Sequence, residues 1–139
     1  MKKQRGQVIV EFALILPLFL FLIFGLIYSG MLFHDYSTLS NVARSATREA
    51  AIATTTTTDA DALIIKNYYE DGKFKGGTLT TLYVPYKPSG ASGPFEIIRN
   101  TDGKDIVTTI HLRLNVNLPF IDKVIPQNFD IVYHMRKDS

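Results

Sequence analysis

Cysteine and tryptophan are both missing from this chain of 139 residues. Without cysteine there are no disulfides and no thiolate metal sites. The compartment is left open, because extracytoplasmic domains can do without disulfides. Charge of either sign is absent from Phe12 to Phe33, a run of 22 residues. At about 1.5 Å per residue that run makes roughly 33 Å of helix, enough to cross a hydrocarbon core of about 30 Å. A large excess of one charge is missing as well: 15 Lys and Arg stand against 13 Asp and Glu. Three of the basic residues, Lys2, Lys3 and Arg5, precede the apolar run. Without them the balance is slightly negative, which argues against a nucleic-acid partner.

What is present organises the chain around its first 33 residues. A basic hexapeptide ends in Gly6, and one acid, Glu11, stands at the edge of the apolar run. A carboxylate entering lipid costs on the order of 2.5–3.5 kcal/mol near the bilayer centre and less at its edge, so its presence needs a reason. Lys and Arg crowd the N-terminal side of the run, and the first basic residue beyond it is Arg44. The positive-inside bias therefore puts the N-terminus in the cytoplasm and residues 34–139 outside. Pro17 predicts a kink. Gly25 and Ser29 lie four apart on one face with Gly30 beside them. Small residues so spaced let helices approach closely, although glycine is also simply common in membrane helices.

The run Gly6-Gln7-Val8-Ile9-Val10-Glu11-Phe12 resembles the type IV prepilin processing site. The resemblance implies a cut after Gly6 by a prepilin peptidase and a new amino group on Gln7, one turn from Glu11. In a packed array, Glu11 of one subunit would pair with that amine on its neighbour, so neither charge stays bare. The run Ala43-Arg44-Ser45-Ala46-Thr47-Arg48-Glu49-Ala50-Ala51 follows the membrane helix. With it, the N-terminal fifty residues resemble the TadE-like family, pseudopilins of the tight-adherence (Tad, or Flp) pilus machinery. The resemblance implies other pilins or pseudopilins, an inner-membrane assembly platform and the lipid bilayer as partners. It also implies a single-pass protein of the inner membrane with its domain outside.

Beyond the membrane the helix is expected to continue from His34 to Ala53. This stretch lacks Gly and Pro and spaces Leu39, Val42, Ala43, Ala46, Ala50 and Ala53 by threes and fours. Arg44, Arg48 and Glu49 fall on its wet side. Five threonines, Thr54–Thr58, end it. A short helix over 59–70 follows, with Leu63, Ile64, Asn67 and Tyr68 at contact spacing, stopped by Gly72, Gly76 and Gly77. Strands are expected over 78–86, 95–100, 104–118 and from Phe129 to Met135. A Thr101-Asp102-Gly103 turn joins the second to the third. Ile106, Ile110, Leu112, Leu114, Val116 and Leu118 form the dry face of the third strand. The expected fold class is α+β, a long N-terminal helix packed on a small antiparallel sheet, the plan of a pilin. Its divisions are a leader (1–6), a membrane helix (7–33), its extracytoplasmic continuation (34–53) and a small domain (54–139).

Catalytic chemistry is not expected. No Ser/His/Asp order, acid pair or phosphate-cradling glycine loop stands out. His111 and His134 fall on polar strand faces and would be cross-strand neighbours if their strands paired, yet no third ligand accompanies them. Neither a metal nor a cofactor is expected. The competing reading is an uncleaved bitopic anchor that tethers an envelope binding domain unrelated to pili.

Overall fold

The computed structural model describes residues 2–53, 58–80, 82–100, 104–115 and 125–136. It forms two compact units, Met1–Phe33 and His34–Ser139. Helix α1 (Lys2–Ile52) supplies the first unit and opens the second. In the first unit the apolar side chains have no protein to pack against: Phe12 is 64 % exposed, Phe21 76 % and Leu26 67 %. The helix is long and apolar enough to cross a membrane. Pro17 lies inside it.

The second unit is built on the continuation of α1. Leu39, Val42, Ala43, Ala46 and Ala50 are buried at the expected spacing, whereas Arg44 and Arg48 are exposed. Alanine at three of these positions lets a sheet approach the helix closely. Two buried polar residues, Asp35 and Thr47, share the buried side. Ala53 lies just past the end of α1 and is half-buried.

The sheet on this helix has four antiparallel strands: β3 (Tyr83–Pro85), β4 (Phe95–Arg99), β5 (Asp105–Leu114) and β6 (Asn128–Arg136). Strand β5 is the spine. Strand β6 runs along one edge of it, from Asp105↔Arg136 to Arg113↔Asn128. The other edge is shared: β4 pairs with Ile106–Ile110 and β3 with Leu112–Leu114. Strict alternation puts Ile106, Thr108, Ile110 and Leu112 inside, facing α1, with Phe95 and Ile131 beside them. The expected α+β plan, long helix on small antiparallel sheet, is the plan observed.

Several local expectations need correction. The second helix, α2 (Thr58–Tyr68), ends two residues early. The chain then forms a tight hairpin, β1 (Tyr69–Glu70) and β2 (Lys73–Phe74). Its turn is Asp71-Gly72, with φ of 52° and 78°, the positive pair a type I′ turn requires. Stacking of Tyr69 on Phe74, centroids 4.8 Å apart, favours this hairpin over another helical turn. On α2, Ile64 is buried but Leu63 is 64 % exposed, because consecutive helical residues lie about 100° apart.

The strand expected over 78–86 shrinks to Tyr83–Pro85. Asp35 on α1 captures the Thr80 N–H at 2.8 Å and its hydroxyl at 2.5 Å, so this backbone bonds to the helix instead of a ladder. The helix-ending threonines at 54–57, the Thr101–Gly103 turn and the strand positions Val116 and Leu118 lie outside the described residues.

Candidate functional site

The N-terminal segment is ordinary helix. Gly6 and Gln7 fall in the first two turns of α1, and Glu11 lies one turn beyond Gln7 on the same face, exposed. Further along, the Ser29 hydroxyl donates to the Gly25 carbonyl at 2.8 Å, which satisfies its polar group within the helix. A Cβ built on Gly25 or Gly30 meets nothing within 4 Å. The patch of Gly25, Ser29 and Gly30 is therefore open to an approaching surface. In an apolar medium this segment can offer a neighbour three things: a carboxylate, a close-approach face and a large apolar area.

In the second unit, polar side chains gather at three places that sequence reasoning did not foresee. Asp35 holds Thr80, as above, and lies 3.4 Å from His34 Nδ1. Arg99 donates to Asp61 on α2 and to the Ala50 carbonyl near the end of α1. His111 stands between two acids, with Nδ1 2.8 Å from Asp130 Oδ1 on β6 and Nε2 3.8 Å from Glu96 Oε2 on β4. Glu96 also accepts hydrogen bonds from the Ser92 N–H, the Ser92 hydroxyl and the Gly93 N–H. Burial pushes the Glu96 carboxyl up. The Ser92 and Gly93 donors and the neighbouring His111 outweigh it, holding the group below the ordinary carboxylate range.

The register separates the two histidines considered as a pair. His111 faces Asp130 and His134 faces Val107, four residues apart along β5, so they are not cross-strand neighbours. The acids beside His111 approach opposite ring nitrogens and do not converge on a common point. No group of three or more His, Cys, Asp or Glu among the described residues is placed to hold a metal. An open groove between α1 and α2 is lined by Arg48, Ile52, Leu63 and Asn67.

Residues 6–48 match the family model for TadE-like protein. The N-terminal region of the chain is TadE-like. The match begins at Gly6 and takes in Gln7, Glu11, Gly25, Ser29 and Gly30. It ends within the Ala43–Ala51 run. No curated protein and no solved structure matches the chain. The exposed apolar helix that the match spans is long and apolar enough to serve as a membrane anchor. The sheet and α2 lie outside the matched residues.

Proposed function

We propose that the protein is a non-enzymatic pseudopilin or minor pilin subunit of a Tad (Flp)-type pilus assembly or secretion machine. The observation that carries this reading is the TadE-like match, which begins at Gly6 and spans the apolar helix. A prepilin peptidase cuts after Gly6, and Gln7 becomes the new N-terminus. The mature helix stays in the inner membrane with the domain outside until it packs against other pilins or pseudopilins on the assembly platform. Glu11 meets the Gln7 amine of a neighbour, and the open Gly25–Ser29–Gly30 patch admits a close helix. Methylation of the Gln7 amine keeps it from cyclising to a neutral lactam.

The test is the mass and N-terminal sequence of the protein from membranes of cells with and without the peptidase. A chain that begins at Gln7 only when the peptidase is present supports the reading. An intact leader in both strains replaces it with the bitopic anchor. A pyroglutamate end would leave processing intact and remove the Glu11–amine pair.

A further inference from the structure

We propose that one end of the second unit, the end that carries Tyr36 and Phe129, is seated on the outer surface of the bilayer. This rests on the proposed membrane anchor and adds to it a lipid contact made by the folded domain. Tyr36 is 47 % exposed, and its ring lies 5.9 Å from that of Phe129 at the start of β6. Phe129 is half-buried and lies 6.1 Å from the buried Tyr83 ring. The Tyr83 hydroxyl donates to the Pro126 carbonyl at 3.2 Å. The outer ring of this stack therefore stands on a fixed base.

A second contact gives the unit a direction. Arg44 on α1 lies over the Tyr133 ring at 5.6 Å. From Tyr36 to Arg44 the helix rises roughly 12 Å, and from Phe129 to Tyr133 the strand advances about 13 Å. Strand β6 thus runs beside α1 in the same sense. Tyr36 and Phe129 mark one end of the unit, and Ala50 with Arg99 marks the other. Tyr36 follows Phe33, the last residue of the uncharged run, by three positions. Even fully extended chain would carry it only about 11 Å beyond that run, so a run held in lipid keeps this end at the surface.

Charge is distributed to match. The ion pairs Arg99–Asp61 and Arg136–Asp105 gather at the far end. At the near end the Asp35 carboxylate is buried against Thr80, and Asp130 accepts from His111. The exposed polar groups there include His34 and the cross-strand pair Arg113 and Asn128. A tyrosine ring at such a boundary has an apolar body and a wet tip, and an arginine beside it can reach headgroup phosphate.

The chain has no tryptophan, so a single introduced one reports its own depth. The full chain carrying Phe21→Trp, Phe129→Trp or His134→Trp is reconstituted into phosphatidylcholine vesicles with brominated acyl chains. Phe21→Trp should be quenched wherever the apolar run is inserted. Phe129→Trp should lose emission chiefly to bromines near the carbonyl end of the chains. His134→Trp, about 16 Å farther along β6, should show no comparable loss. Tyr36→Ser, added to Phe129→Trp, should lessen its loss, and an undiminished loss would overturn the part given to Tyr36. Quenching of Phe21→Trp alone would overturn the lipid contact and leave the membrane anchor standing. Equal quenching of Phe129→Trp and His134→Trp would overturn it too, because the sheet would then lie flat on the lipid. No quenching at any of the three would remove contact and anchor together. Should Phe129→Trp disturb the fold, the exposed Asn128→Trp replaces it, with the same expected loss and the same overturning results.

Discussion

Arg99 and Asp61 form a two-pronged ion pair. Nε lies 2.8 Å from Oδ2, and Nη2 lies 2.5 Å from Oδ1. The Nη2 group also donates to the Ala50 carbonyl at 3.1 Å, near the C-terminal end of α1. One guanidinium thus joins β4, α2 and α1, and its positive charge sits where the helix dipole favours a cation. The hydrogen bonds to Asp61 hold the guanidinium above its ordinary value, against desolvation. Both side chains are largely buried, so removing either leaves an uncompensated charge. Asp61→Ala and Arg99→Ala should each cost about 3–5 kcal/mol in urea unfolding. Arg99→Lys should recover little, because an ammonium cannot make the planar double contact.

The outline of the fold was legible in the sequence because burial there follows a simple period. Leu39 to Ala50 repeats by threes and fours, and Ile106 to Leu112 by twos, and both stripes are buried as the pattern demands. What was not legible depends on distant polar partners. Thr108 shares the parity of Ile106 and Ile110, but only Thr47 explains a threonine there. Arg99 was simply the end of a strand until α2 placed Asp61 beside it. Asp71-Gly72 carries a hairpin signal, but a glycine there serves equally to stop a helix, and the Tyr69–Phe74 contact that decides for the hairpin comes from the fold. At the N-terminus the spacing of Gly6, Gln7 and Glu11 is legible in the sequence, and the proposed pairing of Glu11 with a Gln7 amine belongs to two subunits, not to one fold.

The two threonines give a sharper test. Thr47 Oγ1 lies 2.6 Å from the Ala43 carbonyl and 2.7 Å from Thr108 Oγ1, all buried. A hydroxyl has one proton, so Thr47 donates to the carbonyl and accepts from Thr108. Thr47→Val strands the Thr108 hydroxyl and should cost about 1–3 kcal/mol. The double variant Thr47→Val/Thr108→Val should be nearly neutral. A double-mutant cycle on denaturation midpoints checks the coupling, and strict additivity would refute the Thr47–Thr108 hydrogen bond.

Gly76 lies against α1 with no room for a side chain. A Cβ there would sit 2.2 Å from Val42 Cγ2. Gly76→Ala should therefore destabilise the second unit by about 1–3 kcal/mol through overpacking. Val42→Ala removes the obstructing methyl, so adding it to Gly76→Ala should cost less than Val42→Ala costs alone. Thermal unfolding of the four combinations would measure this.

Glu96 contributes to the acid response of the sheet. Its carboxyl is held below the ordinary range in the fold, so its stabilisation is present above the unfolded-state value near pH 4.3. It is lost as pH falls through the lower folded value. Stability measured downward from about pH 5 should fall less steeply in Glu96→Gln than in the unmodified chain. An identical slope would show that Ser92 and Gly93 do not favour the ionised form.

Glu11 is exposed on α1 with no charge among the described residues beside it, so those residues do not offset what it costs at the edge of a bilayer. If the Gln7 amine of a neighbour offsets that cost, Glu11→Val removes the cost and the pairing together. The variant should insert and be cut after Gly6 as before, because an apolar residue only favours insertion. Its entry into assemblies should fall by about tenfold or more, since the neighbour's amine is left unpaired. The ratio of mature subunit in sheared surface fractions to that in membranes measures this directly. Unchanged incorporation would mean that Glu11 is tolerated at the edge of the bilayer, as in an anchor that never assembles through it.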